Sequence, residues 1–281
     1  MTHERYLELE KKGVPCEEIA FIKRLDEQTK LDLDSIDLNI ENHIDDLSIQ
    51  DTGIKYIPDN IGNLKKLEVL FICESDIREL PESIGKLLKL RDLTISRSSI
   101  KILPENIGYL PNLNHLGIIN SKLTSFPIHI CVISSLESLQ LTNNQITKIP
   151  ECIGNLKKLK TIFFDENNLQ DLPNSFCLLN NLRRLSLKKN KLKELPQNFG
   201  NLLMLHELFL SGNQLYELPE SFSKLKNLFS LKLNRNQFEE FPKVIQNLRL
   251  TNLDISENNI KEYPKTAGIF KLKMRKEGIY Y

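Results

Sequence analysis

No tryptophan occurs in this chain, and nowhere does an apolar run approach the roughly 18 residues that a membrane-crossing helix needs. The aliphatic positions of its repeating pattern are all filled, so the chain has ample core without tryptophan, and without a long apolar run no membrane insertion is expected. The opening residues, MTHERYLELEKK, are charged and lack an apolar stretch of the secretory type, so no signal peptide is read there. An Asn-x-Ser/Thr acceptor site is missing. So are HExxH, a Walker A loop, GxGxxG and GxSxG. The histidines, His3, His43, His115, His129 and His206, fall into no metal-ligand spacing. No catalytic residue, no metal and no cofactor is therefore expected, and the chain reads as a non-enzyme. Cysteine is sparse and odd in number: Cys16, Cys73, Cys131, Cys152 and Cys177 are scattered, and none forms CxxC. Free thiols in a reducing compartment are the simplest reading. Together with the missing leader, this points to a soluble cytoplasmic protein.

What the chain does have is a 23-residue period running through residues 44–272, with the frame LxxLxLxxNxLxxLPxxIGxLxx. Ten copies begin at Ile44, Leu67, Leu90, Leu113, Leu136, Leu159, Leu182, Leu205, Leu228 and Leu250, and the Leu228 copy is one residue short. A fixed period of this length means a stacked solenoid, in which no copy buries its apolar face without its neighbours. Apolar residues fill frame positions 1, 4, 6, 11, 14, 18 and 21. Positions 4 and 6 alternate with polar or variable residues, the period of a short half-buried strand whose positions 3, 5 and 7 face outward. Successive strands should pair in register into one parallel sheet on the concave side.

Proline follows position 14 in every copy, from Pro58 to Pro264. Lacking an N–H, it must stand outside the sheet and open a short helical or 3₁₀ turn on the convex side. Glycine often follows at position 19, as in Gly62, Gly85, Gly108, Gly154 and Gly200, and is expected to end that turn with a positive φ. Position 9 reads as a buried polar post. It is Asn144, Asn167, Asn190, Asn213, Asn236 and Asn258 in later copies, but Thr52, Ser75, Ser98 and Ser121 in earlier ones. An amide carries donors and an acceptor and can serve two copies, whereas a hydroxyl does so only in part. The first four copies are therefore expected to be less rigid.

Residues 1–43 depart from the frame. Val14 to Leu25 read as an amphipathic helix opened by Pro15 and acidic residues, and Leu31, Leu33, Ile36 and Leu38 resemble a degraded first repeat. A solenoid end exposes core and strand edge, so this segment reads as a cap. At the other end the segment 266–281 reads as covering the last copy, with Phe270, Leu272 and Met274 supplying its apolar side and residues 273–281 as the cap or tail beyond the repeats. The net charge of +1 hides a polarity: residues 1–60 hold 15 acidic and 7 basic residues, and residues 182–281 hold 10 acidic and 18 basic. A monomer is the expected state, with weak head-to-tail association as an alternative.

The outward strand positions are where copies differ. Val69, Phe71 and Cys73 make an apolar stripe, which Ile119 extends. Phe163 and Phe209 stand on the same wet face, as does His115, which lies between Cys73 and Ile119 in chain order. Exposed aromatic and apolar clusters commonly anchor partners. Arg184, Lys188 and Lys232 add a basic zone, joined by Arg183, Lys189, Lys191 and Arg235. Aromatics are not interleaved with these basic residues along the chain and no nucleic-acid module is present, so no nucleic-acid partner is expected. Cys73 and His115 lie two strands apart, roughly 10 Å, too far for a nucleophile–base pair.

The LPxxIGxL core at a 23-residue period resembles the leucine-rich repeat proteins, both the Ras-group intracellular scaffolds of animals and plants and those of bacteria, notably spirochaetes. The resemblance covers residues 44–272. It implies an α/β solenoid, a leucine-rich repeat horseshoe with a concave parallel β-sheet and a convex side of short helical or 3₁₀ turns. It also implies a protein-binding scaffold that uses the concave sheet. Catalytic members fuse the repeats to a kinase, GTPase or ubiquitin ligase, and no such domain is read before Ile44 or after the repeats. Lys-, Ile- and Asn-rich usage suits an AT-rich, bacterial genome. The alternatives are a self-assembling structural protein, or a regulator of a signalling enzyme.

Overall fold

A computed structural model describes residues 3–27, 36–38, 41–50, 53–262 and 272–273. The chain divides into two compact units, residues 1–140 and 141–281. In the first, helices α1 (His3–Lys11) and α2 (Cys16–Asp26) precede six strands. These are β1 (Ile36–Leu38), β2 (Ile44–Gln50), β3 (Val69–Ser75), β4 (Asp92–Ser98), β5 (His115–Ile119) and β6 (Ser138–Gln140). The second holds β7 (Thr161–Phe163), β8 (Arg184–Ser186), β9 (Glu207–Phe209), β10 (Ser230–Lys232), β11 (Asn252–Asp254) and β12 (Leu272–Lys273). From β2 to β6, and again from β7 to β12, successive strands pair parallel and in chain order.

The register follows the period. Asp46 pairs with Val69, Val69 with Asp92 and Asp92 with His115, each 23 residues on. At the short copy Ser230 pairs with Asn252, so the missing residue is absorbed outside the strands. Frame positions 1, 4, 6, 11, 14, 18 and 21 are buried, as in Leu136, Leu139, Leu141, Ile146, Ile149, Ile153 and Leu156. At roughly 1.5–3 kcal/mol per buried aliphatic side chain, this repeated core is what holds each coil to the next.

Each frame proline but one among those described directly precedes a 3₁₀ turn, in extended geometry and with its carbonyl closing the turn: Ile61 N–H donates to Pro58 O at 3.0 Å and Ile153 N–H to Pro150 O at 3.1 Å. At Pro196 the turn starts later, at Phe199. The position-19 glycines do not act as expected. Gly62, Gly85, Gly108, Gly154 and Gly200 lie within these turns without a positive φ. They are needed because consecutive turns touch: a Cβ on Gly85 would stand 2.4 Å from Asn106 O, and one on Gly200 1.8 Å from Ser221 O. Positive φ recurs instead at position 8, just before the post, at Glu74, Arg97, Asn120, Asn143, Glu166, Lys189, Gly212, Arg235 and Glu257. There the chain bends sharply, inside the last residues of β3 and β4 at Glu74 and Arg97 and past the strand end in later copies, and only Gly212 and the two asparagines are residues suited to that geometry.

At the N-terminus α2 begins at Cys16, after Pro15, and buries Phe21, Ile22 and Leu25. It packs on the first 3₁₀ turn, Asp59–Asn63. Helix α1 adds Leu9 to a small cluster with Val14 and Ile19. Tyr6 Oη donates to Asp26 Oδ2 at 2.6 Å, and burial with this carboxylate pushes the phenol well above its usual range. Glu18 is buried, and its two oxygens take His43 Nδ1 at 2.7 Å and the Ile44 N–H at 2.8 Å, tying α2 to the start of β2. Strand β1 runs antiparallel to β2, so Ile36 and Leu38 do not form a first repeat, which would have paired parallel. Leu31, Leu33, Thr52, Phe270 and Met274, and most of the expected C-terminal cap, lie outside the described residues.

The cysteines also depart from expectation. Cys131 and Cys152 are disulfide-bonded, while Cys16, Cys73 and Cys177 are free. Burial pushes the Cys177 thiol up to about 11.

Candidate functional site: the open face of the sheet

Strand alternation sends frame positions 3, 5 and 7 to the face opposite the 3₁₀ turns. In residues 1–140 this face carries Val69, Phe71 and Cys73 along β3, all half-buried. Phe71 lies in register between Ser48 and Thr94. Ile119 reaches the same patch across Ser96, whose hydroxyl donates to Cys73 Sγ at 3.1 Å. His115 is half-buried, and its ring covers Gly117: a Cβ there would stand 3.4 Å from Nε2. The charged residues of this face, Asp46 and Asp92, are both acidic.

In residues 141–281 the same rows hold different chemistry. Phe163 and Phe209 flank Ser186 in register, and Ser186 is only 1% exposed although its position faces outward. The Arg184 guanidinium explains this cover. Its carbon lies 5.3 Å from the Phe163 ring centre and 5.6 Å from that of Phe209. Lys188 Nζ lies 5.5 Å from the Phe209 centre. Aromatic and basic residues that are separate in the chain are thus interleaved in space, contrary to the sequence expectation. Cations over ring faces gain roughly 0.5–1 kcal/mol each at exposed sites, enough to bias side-chain orientation.

Acidic neighbours fix these cations. Glu207 lies 3.3 Å from Arg184 Nε, and Asp165 lies 3.4 Å from Lys188 Nζ. Asp165 Oδ1 also accepts from Ser186 Oγ at 2.5 Å and from the Lys188 N–H at 2.7 Å, so the acid is held before it meets the lysine. Lys232, the register neighbour of Phe209, donates to Asn252 Oδ1 at 2.7 Å. Beside the face, Lys189 pairs with Glu166 at 2.7 Å and Arg235 with Glu257 at 2.8 Å. Glu257 raises the affinity of the Arg235 guanidinium for its proton.

The structure therefore groups Phe163, Arg184, Lys188, Phe209 and Lys232 within residues 141–281, and Val69, Phe71, Cys73, His115 and Ile119 within residues 1–140. Sequence reasoning missed Asp165, Glu207 and Ser186. Their signal was the period itself, since Asp165 precedes Lys188, and Glu207 follows Arg184, by one repeat length of 23 residues. Among the described residues no group of three His, Cys, Asp or Glu side chains is placed to hold a metal ion. No described helix is long and apolar enough to cross a membrane.

Comparison with known proteins gives a consistent picture. Models of the leucine-rich repeat match residues 23–126 (a leucine-rich repeat region), 134–192 and 204–225, together well over half of the chain. No curated protein sequence matches it. Among solved structures, a leucine-rich repeat protein of the spirochaete Leptospira interrogans is 26% identical at a TM-score of 0.50, covering 78% of this chain and 70% of that one. The plant peptide hormone receptor RGFR1, solved in complex with RGF2, is 31% identical at a TM-score of 0.64, covering 81% of this chain and 35% of that one. The ectodomain of the Arabidopsis thaliana receptor kinase GASSHO1/SCHENGEN3, solved with CASPARIAN STRIP INTEGRITY FACTOR 2, is 26% identical at a TM-score of 0.60, covering 78% and 32%. The chain spans about a third of the length of these plant receptors.

Proposed function

Because this chain belongs to the leucine-rich repeat proteins, a fold that serves generally as a protein-binding scaffold, we propose that it binds a partner protein on the open face of its sheet and catalyses nothing itself. The observation that carries this reading is that half-buried aromatic residues stand at outward strand positions in both units, Phe71 in the first and Phe163 and Phe209 in the second. Aromatic anchors in oriented surroundings are the usual centres of interfaces. The plant receptors that resemble this chain are solved with protein ligands, which supports a protein partner in kind but names none.

A monomer presents this face without help, and the acidic and basic ends add at most weak, salt-sensitive association. Compartment is a separate matter. The disulfide-bonded Cys131 and Cys152 mean that the cysteines no longer argue for a reducing environment. The reading is tested by capturing partners from lysates on the immobilised chain and on a Phe71→Ser, Phe163→Ser variant. Partners lost with the variant, while its circular dichroism is unchanged, support the sheet face. Undiminished capture moves the site to the 3₁₀ side or to the N-terminal helices.

A further inference from the structure

We infer that the ring of Phe209 is the floor of a subsite for one acidic side chain, a glutamate or aspartate on an extended segment of the partner protein. This rests on the sheet-face reading above and gives it a chemistry. Two cations stand over the same ring, Arg184 at 5.6 Å and Lys188 at 5.5 Å, and Lys232 is its neighbour on the next strand. Both charges lie within 5.6 Å of one ring centre, and a carboxylate placed over that ring is attracted to both and gains charge-assisted hydrogen bonds.

The charges that hold these cations leave room for such a guest. Glu207 approaches Arg184 at Nε, and a guanidinium has four further N–H donors on its terminal nitrogens. Asp165 approaches Lys188 at 3.4 Å, a loose pair, with its Oδ1 already engaged by Ser186 and the Lys188 N–H. Lys232 is held by the neutral amide of Asn252. The half-buried ring meets the methylene stem of the guest, and the cations meet its head.

The same face argues against a polyanion. Its outward charges from β7 to β11 are Asp165, Arg184, Lys188, Glu207, Lys232 and Asp254, three of each sign. A phosphate backbone would run over the three carboxylates as well as the cations, whereas a single acidic side chain meets only the local excess around Phe209.

The test is selection of random twelve-residue peptides, displayed on phage, against the full chain. The expected winners carry Glu or Asp beside an aliphatic residue. Replacing that acid by its amide, or making Arg184→Met or Lys188→Met, weakens binding roughly tenfold or more, the scale of a hydrogen bond between charged groups. Arg184→Lys keeps part of the affinity and guards against misfolding of the Met variant. Glu207→Gln, which frees Arg184, tightens binding. Peptides that depend on Phe163 and Phe209 but ignore the Met and amide changes overturn the acidic subsite and leave the sheet face standing. Peptides indifferent to every sheet-face substitution overturn both. Failure to enrich any peptide, or tighter binding of oligo(dT) than of the best peptide, also overturns the subsite.

Discussion

The two halves of the repeat array solve the same hydrogen-bonding problem by different means. From residue 144 on, the position-9 amides form a chain. Asn190 Nδ2 donates to Phe164 O of the preceding copy at 2.9 Å and to Leu187 O of its own at 3.1 Å, while its Oδ1 takes the Leu169 N–H at 3.1 Å. Asn167, Asn213, Asn236 and Asn258 repeat the arrangement, and Asn144 makes its own-copy bond to Leu141 O. In the first unit the posts are hydroxyls. Ser98 and Ser121 bond to each other at 3.0 Å, and the buried Ser75 Oγ has no partner among the described residues. The backbone makes up the difference. Strands β2, β3 and β4 are seven residues long and pair as far as Ser75 with Ser98, whereas β7 to β11 are three residues long. An asparagine takes the position-6 carbonyls for itself and cuts regular pairing short. A serine leaves them to the ladder.

It follows that the same substitution has unequal effects in the two halves. Asn190→Ala orphans buried backbone groups in two copies and should destabilise by about 2–4 kcal/mol, while Ser98→Ala should cost no more than about 1 kcal/mol. Urea midpoints of the two variants measure the gap. Equal losses would mean that the amide chain adds nothing beyond the ladder.

The next largest effect concerns the contact between turns. Gly200→Ala drives a Cβ into the Ser221 carbonyl and should cost about 1–3 kcal/mol. Gly62→Ala in the first unit meets Ser83 O at 3.0 Å and should cost under about 1 kcal/mol. Thermal midpoints in the reverse order would show that the turns give way more easily in the second unit. A smaller change of opposite sign is expected at Ser75→Ala. It removes a buried hydroxyl that has no partner among the described residues and should be neutral or stabilising by up to about 1 kcal/mol. A clear loss of stability would place an ordered water there.

Much of the fold is legible in the sequence. Leucine spacing announces the parallel coils, proline the start of the turns, and asparagine the post, because each is tied to one backbone demand that recurs 23 residues later. Local patterns say less about contacts across copies. Gly200 reads as a turn terminator, yet what demands a glycine there is the neighbouring carbonyl at its α-carbon. Position 8 adopts a left-handed conformation even as Glu74, Arg97 and Lys189, residue types that advertise nothing of the kind. The candidate site is half legible. Alternation places Phe163, Arg184 and Phe209 on one face, but the stacking of Arg184 between two rings depends on side-chain directions that alternation does not contain. Asp165 and Glu207 can be found by reading the sequence one period up and down from each cation.

The most local predicted effect sharpens the comparison most. From sequence alone the hydroxyl-bearing copies should be looser throughout. The long strands β3 and β4 should confine that looseness to the post itself. The Ile100 N–H reaches only the Ser98 hydroxyl, at 3.4 Å, whereas the equivalent Leu169 N–H reaches the Asn190 amide oxygen at 3.1 Å. Amide hydrogen exchange should therefore be roughly tenfold faster at Ile100 than at Leu169, the ratio produced by about 1.4 kcal/mol of opening free energy. The strand amides of Leu93 and Ile95 should exchange as slowly as Leu185 and Leu208. Uniformly fast exchange across the first unit would mean that the longer ladder does not replace the missing amides. Equal rates at Ile100 and Leu169 would mean that a hydroxyl serves as well as an amide, and the contrast between the halves would then be one of geometry without an energetic counterpart.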